Sequence, residues 1–218
     1  TLSILIPNWN YGLYLRKNLL SLMPVRDKIT LEVIVVDNGS TDGSQEMIKK
    51  EFPWVNLIIN HVNKGFAIAN NQAYRSCRGE YILYLNADTE LPNGAIEIMV
   101  KFLEGHPQVS AVVPKLLNPD GSLQFSCNTF PNIFTDLMEM TYLDRIFPHS
   151  DFFNRWHMGR WPHNQTQEVD QPGMSCLMVR KSVLEQIGLL DEQFYPAYYE
   201  DVDFSYRMKK QGFKTYFV

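Results

Sequence analysis

Two apolar runs in the first half of the chain end in acids and amides. Leu31–Asp42, LEVIVVDNGSTD, passes from Val33–Val36 into Asp37, Asn38, Gly39, Ser40 and Asp42. Tyr81–Leu91, YILYLNADTEL, passes into Asn86, Ala87 and Asp88. Such runs read as buried parallel strands, and open α/β sheets bind ligands outside the carboxyl ends of their strands. A carboxylate placed there accepts hydrogen bonds from a ribose or a base edge, so Asp37 is a candidate nucleoside anchor. Asp-Asn-Gly is also ordinary turn chemistry, and Ser40 or Asp42 would serve equally as a helix cap. Pro7, Asn8 and Asn10 end the preceding strand in the same manner, which turns both strand ends toward one crevice and favours the ligand reading.

Asn63-Lys64-Gly65-Phe66 follows a third strand and opens a helix that carries Asn70 and Asn71. A helix amino end welcomes a diphosphate, whereas taken singly Gly65 is a turn residue and Asn63 a cap. Asn86-Ala87-Asp88 has the form of a D-x-D metal triplet with its first acid replaced. Mg²⁺ and Mn²⁺ prefer oxygen ligands and bridge to substrate phosphates, so one carboxylate with two phosphate oxygens and water makes a reasonable shell. The plainer alternative makes Asp88 a cap for the helix opening near Pro92. Glu200, Asp201 and Asp203 crowd together in YYEDVDFSYR beside Phe194, Tyr195, Tyr198 and Tyr199. Acids at a helix start stabilise its dipole, and Asp203 with Arg207 has the spacing of a surface pair. A carboxylate beside aromatic walls is also what a general base for a sugar hydroxyl needs. At the helix start the dipole is expected to favour its ionised form.

The elements that must position these groups alternate through the first half. Strands are expected at Leu2–Pro7, Leu31–Asp37, Val55–Asn60, Tyr81–Asn86 and Gln108–Pro114. Helices are expected at Tyr11–Met23, with Leu13, Leu15, Leu19, Leu20 and Met23 inward, and at Asp42–Phe52, Gly65–Cys77 and Gly94–Glu104. That order implies a doubly wound, mostly parallel sheet. Beyond it, NPDGS reads as a turn between short strands, and Phe130–Val169 as a ligand-covering excursion, partly helical near Ile133–Ile146. Order returns with a strand at Gly173–Val179, helices at Lys181–Ile187 and Glu200–Lys210, and a strand at Lys214–Val218.

A length of 218 residues allows one large core, and 45% hydrophobic with 20% charged residues is ordinary for a soluble globular protein. A net charge of −4 argues against a nucleic-acid partner. The three cysteines, Cys77, Cys127 and Cys176, are widely spaced without ligand spacing, which suits a reducing, cytoplasmic compartment. No apolar run reaches spanning length. The chain opens and closes inside strand patterns, as expected of a piece of a longer protein. The turn PNWNYG lacks the G-x-G-x-x-G fingerprint, which ranks a dinucleotide-dependent oxidoreductase low.

PNWN, VVDNGSTDGS, NKGFAIANNQA, LNADTEL, GMSCLMVRKSVLEQIGLLDEQF and YYEDVDFSYRMKKQGFK, in this order, resemble the family 2 glycosyltransferases, and most of all their rhamnosyltransferase-like branch. The resemblance covers nearly the whole chain and is weakest from Phe125 to Asp170. It implies a GT-A fold with a Rossmann-like nucleotide-sugar half at 1–115 and a mixed acceptor half at 116–218. It implies inverting, metal-dependent hexosyl transfer from a nucleoside-diphosphate sugar, dTDP-rhamnose or a UDP-sugar, to a glycan or lipid-linked acceptor. The setting would be bacterial surface polysaccharide synthesis, at the inner face of the plasma membrane, with peripheral membrane association. By motif, Asp37 would hold the nucleoside with Pro7, Asn10, Asn38, Ser40, Asn63, Gly65, Phe66 and Asn70 nearby. Asn86 and Ala87 would adjoin the donor and Asp88 would hold Mg²⁺ or Mn²⁺. Gly173, Met174 and Ser175 would line the donor-sugar or acceptor site. Asp201 would be the base, supported by Glu200 and Asp203. The chain departs from the family at Asn86, and it ends before the place beyond the last strand where many relatives put a His as a metal ligand. A non-catalytic nucleotide-sugar or glycan-binding module of the same fold is the competing reading. Absent the acceptor-side packing, Phe130–Val169 would be the most mobile part, with Trp156 and Trp161 more exposed than core tryptophans.

Overall fold

The structure, a computed structural model, describes residues 1–158 and 161–218. In the first half, strands β1 (Leu2–Asn8), β2 (Leu31–Asp37), β3 (Asn56–Ile59), β4 (Tyr81–Leu85) and β5 (Ala111–Val113) alternate with helices α1 (Gly12–Arg26), α2 (Ser44–Glu51), α3 (Phe66–Arg75) and α4 (Ala95–Gly105). A hairpin of β6 (Leu116–Leu117) and β7 (Leu123–Gln124) precedes β8 (Cys127–Asn128), α5 (Ile133–Met140) and α6 (Leu143–Ile146). The chain continues through β9 (Gln167–Val169), β10 (Gln171–Pro172), β11 (Cys176–Arg180), α7 (Lys181–Ile187), α8 (Glu200–Lys210) and β12 (Thr215–Phe217).

The main sheet has 8 strands in the order β3-β2-β1-β4-β11-β5-β12-β9. The first four run parallel, with Asn8 opposite Asp37 at the carboxyl ends of β1 and β2. The parallel run stops at β4, because β11 enters antiparallel between β4 and β5. β11 is a buried run, CLMVR, that needs cover on both faces, and the sheet centre supplies it.

Side-chain alternation along the strands builds a three-layer sandwich. Leu5, Ile34, Ile82 and Val179 face Ala73 of α3, Val183 of α7 and Phe204 of α8. Ile4, Val35, Leu83 and Met178 face Leu19 of α1, Ile48 of α2 and Met99 of α4. The inward face of α1 differs from the expected one. Leu15, Asn18, Leu19, Leu22 and Val25 are buried, whereas Leu13 is 82% exposed and Leu20 and Met23 are also exposed. The buried set follows the 3.6-residue period, and the extra leucines lie outside that stripe.

Trp156 and Trp161 are half-buried, and Trp161 packs against the core with its ring 4.7 Å from that of Phe217. Residues 159 and 160 of that segment lie outside the described residues. The three cysteines are buried and unpaired. Among the described residues no helix is long and apolar enough to cross a membrane.

Candidate active site

The carboxyl ends of β1 and β2 are joined by one carboxylate. Asp37 is fully buried, and its Oδ2 accepts from Asn8 Nδ2 at 2.8 Å. Its Oδ1 accepts from the Ser40 N–H at 2.9 Å and from Gln45 Nε2 at 2.7 Å. With these partners Asp37 shapes the loop at the strand ends. Ser40 does not cap α2, whose N-cap is Gly43 at φ 84°. Its hydroxyl accepts instead from the Asn10 N–H at 2.9 Å and from Asn8 Nδ2 at 3.2 Å. Asn10, itself at φ 57°, accepts the Thr41 N–H at 2.8 Å. Asp42 accepts from the Gly12 N–H at 2.8 Å and from both donors of Ser44, tying the starts of α1 and α2 together.

Beside these strand ends opens a cleft of about 450 Å³. Pro7, Asn38, Asn63, Gly65 and Phe66 form one end of it, and Asn86, Ala87 and Asp88 the other. The buried amide of Asn38 donates to the Gly65 carbonyl at 3.3 Å and accepts from Asn60 at 2.9 Å. Gly65, at φ +88°, has the Pro196 carbonyl so close that a Cβ would sit 2.8 Å from it, and the Phe66 N–H donates to that same carbonyl at 2.8 Å. The contact draws the loop before α8 over the β3–α3 turn, so Pro196, Ala197 and Tyr198 complete the cleft. Sequence reasoning missed Trp9, Tyr11 and Tyr198 as lining groups. Trp9 is 52% exposed at the end of a buried strand, an arrangement that leaves an indole face for a base or sugar. The signal was present in PNWN, where a large aromatic stands between two amides.

Other expected residues lie off the cleft. Asn70 is buried and donates to the Phe66 carbonyl at 3.1 Å within its own helix. The Gly173 N–H donates to the Ser126 carbonyl at 2.7 Å, and Met174 packs into the core, so both join β10 to its neighbours. Ser175 is the exception in that segment: its hydroxyl accepts from Asn86 Nδ2 at 3.3 Å, and its carbonyl from the Asn86 N–H at 3.0 Å.

The α8 acids divide. Asp203 pairs with Arg207 at 2.8 Å, and Arg207 also donates to the Ile187 carbonyl at 2.7 Å and the Leu189 carbonyl at 2.8 Å. Asp203 is thus a brace between α8 and the end of α7, not a partner of Asp201. Asp201 accepts from Gln171 Nε2 at 3.1 Å and from the Val202 N–H at 2.9 Å. Burial nevertheless pushes its carboxyl above the ordinary aspartate range, against those two donors. Desolvation thus works against the help expected from the helix start. Glu200 is 6% exposed, its Oε2 has no hydrogen-bond partner among the described residues, and burial with the neighbouring Asp201 charge raises it too. Tyr198 and Tyr199, at φ 85° and 70°, hold the turn into these acids in the left-handed region that L side chains resist.

Asp88 is exposed at the cleft and has no side-chain partner among the described residues. No group of three or more His, Cys, Asp or Glu among the described residues could hold a metal ion. A dedicated all-protein metal cage does not fit this site. A single free carboxylate fits a cation that draws its remaining ligands from a bound diphosphate and water.

The Glycosyl transferase family 2 model matches residues 3–188. The Mycobacterium tuberculosis N-acetylglucosaminyl-diphospho-decaprenol L-rhamnosyltransferase is 26% identical over 228 residues, spanning 100% of this chain and 73% of that protein. The Haloferax volcanii low-salt glycan biosynthesis hexosyltransferase Agl10 is 28% identical over 185 residues, 83% of this chain and 54% of that protein. Of solved structures, S. aureus TarS 1-349 superposes with a TM-score of 0.64 at 18% identity, covering 100% of this chain and 58% of that one. The mannosyltransferase PcManGT from Pyrobaculum calidifontis, in complex with GDP-Man and Mn²⁺, superposes at 0.66 and 21%, covering 98% and 53%. These are GT-A glycosyltransferases, and at such identities the likeness is one of fold. The chain spans 53% to 73% of the lengths of these proteins.

Proposed function

The chain belongs to glycosyltransferase family 2, and from that premise we propose that it moves a hexose, with inversion, from a nucleoside-diphosphate sugar to a glycan or lipid-linked acceptor hydroxyl. The observation that carries the proposal is the continuity of one cleft from the strand ends of β1 and β2, past Asp88, to Tyr198 at the threshold of α8. Trp9 and Phe66 would flank the base, while Asn38 and Asn63 offer it hydrogen bonds. Asp37, through Asn8, Ser40 and Gln45, keeps that end in shape. Asp88 would hold Mg²⁺ or Mn²⁺, which when bound supplies charge stabilisation to the departing diphosphate.

Asp201 would accept the proton from the acceptor hydroxyl as that oxygen attacks the anomeric carbon from the face opposite the diphosphate. Its raised affinity for protons makes it a stronger base than an exposed aspartate. Residues 1–115 would serve the donor and 116–218 the acceptor. dTDP-rhamnose and UDP-sugars are the donors we favour, since a relative acts as a rhamnosyltransferase on a decaprenol-linked acceptor. That relative also supports a lipid-linked acceptor, and the setting we favour is surface polysaccharide synthesis at the inner membrane face, reached by peripheral association.

A thermal-shift screen of UDP, dTDP and GDP and their sugars, with and without Mn²⁺, tests the donor assignment, because a ligand of the folded state raises its stability by mass action. A rise that depends on Mn²⁺ and disappears in Asp88→Asn is expected. No rise with any nucleotide would remove the reading.

A further inference from the structure

Helix α8 does not hold Asp201 alone. Strand β10 reaches the same carboxylate through one neutral side chain, Gln171. Gln171 Nε2 donates to Asp201 Oδ2 at 3.1 Å, while Asp201 Oδ1 takes the Val202 N–H at 2.9 Å. Gln171 is 2% exposed, so water does not compete for that donor. Its strand is fixed from behind. Gln171 stands opposite Asn128 in the antiparallel pairing of β10 with β8, and the Gly173 N–H ties the strand to the Ser126 carbonyl. Asn128 Oδ1 in turn accepts from His157 Nδ1 at 3.1 Å.

An amide in this place has a chemical consequence. A Lys or Arg would also aim the carboxylate, but its charge would hold the proton affinity down. The amide aims it with a weaker pull, and burial still raises Asp201 above the ordinary aspartate range. The charges close by are engaged elsewhere. Asp203 pairs with Arg207, and Asp170, next to Gln171 in the chain, pairs with Lys209. Glu200 directly precedes Asp201 on α8 and is itself buried, and Tyr198 and Tyr199 lead into it. The other arm of the amide has no structural use: Gln171 Oε1 is buried without a hydrogen-bond partner among the described residues. An apolar side chain of the same length would pack there without that orphaned acceptor. Packing therefore does not account for Gln171, and its bond to Asp201 does.

We propose that Gln171 is the positioning residue of Asp201, aiming Oδ2 through a neutral donor that leaves the carboxylate basic. Gln171 gains and loses no proton; the proton of the acceptor hydroxyl moves to Asp201. The inference rests on the transfer reading and deepens it, by naming what orients and poises the base.

Two measurements on the native chain, Gln171→Met and Gln171→Glu test it. One is the titration midpoint of the Asp201 carboxyl carbon by ¹³C NMR, its resonance identified by its absence from Asp201→Asn. The other is the pH profile of sugar transfer. Loss of a donor to the ionised form should raise the midpoint by about one pH unit in Gln171→Met. The rise should be larger in Gln171→Glu, where a second carboxylate repels the first. Gln171→Glu keeps the length and shape of the side chain, so it separates the lost donor from lost packing. In both variants kcat should fall about tenfold or more, with KM for the donor unchanged and the acid limb moving up with the midpoint. An unchanged midpoint in both variants, or a raised midpoint with native kcat, overturns the role. A raised midpoint in a chain that transfers no sugar would keep the coupling of Gln171 to Asp201 and remove the transfer reading instead.

Discussion

Asp201 and Glu200 are adjacent carboxylates that burial pushes in the same direction, with different consequences. For Asp201 the consequence is catalytic. Asp201→Asn is expected to lower turnover by about 10²- to 10⁴-fold, the range for loss of a general base, while donor affinity survives. The acid limb of kcat/KM should lie above the ordinary aspartate value of about 3.9, because the folded carboxyl holds its proton to higher pH. A limb at or below that value would show that another group is the base. For Glu200 the consequence is for stability. A carboxyl whose folded pKa is raised costs stability once pH exceeds that pKa, and costs nothing below its unfolded value of about 4.3. Glu200→Gln should therefore raise the melting temperature at pH 7 and leave it unchanged at pH 4. Equal effects at both pH values would mean the gain is not electrostatic. The site was legible at this scale only in part. Position at a strand end marked Asp37, but the direction of its carboxylate is decided by Asn8 on another strand and Gln45 on the next helix. The Asp203–Arg207 spacing did announce an ion pair, and the ion pair is what forms.

The elements of the first half follow closely from apolar periodicity, because each strand is a short β-branched run and each helix an amphipathic stretch. Two features escaped that reading. The inward stripe of α1 could not be selected by counting leucines, since the helix carries more of them than its sheet-facing side can bury. The entry of β11 between β4 and β5 is a long-range pairing that no local pattern encodes. The helix starts around the cleft rest on Asp42, which joins Gly12 of α1 to Ser44 of α2. Although burial opposes it, hydrogen bonds from Ser44 and Gly12 hold this carboxyl below the usual range. A depressed folded pKa contributes stability above the unfolded value of about 3.9, and that contribution is lost as pH falls through the folded pKa. Asp42→Ala should cost about 0.5–2 kcal/mol, the range for removing a helix cap, at pH 7. The difference from the native chain should shrink as pH falls below about 4. A denaturant-melt difference that persists undiminished in acid would contradict this account.

At the scale of the molecule, the proposed donor and acceptor halves share one sheet. β11 of the second half fills the gap between β4 and β5 of the first, and β12 covers the other side of β5. Residues 1–115 alone would leave both edges of β5 and one edge of β4 unpaired, with the apolar face of α3 stripped of α7 and α8. That fragment is expected to show no cooperative thermal transition; a sharp one would make the halves independent. The central claim concerns the reaction that the assembled cleft performs. It is tested most directly by following the anomeric protons by NMR while the native chain and Asp201→Asn act on dTDP-rhamnose and UDP-GlcNAc, with Mn²⁺ and a panel of glycan and polyprenyl-diphosphate-sugar acceptors. The account expects a product of inverted anomeric configuration from the native chain and its near-complete loss in Asp201→Asn. A product of retained configuration, or equal rates from the two proteins, would contradict it.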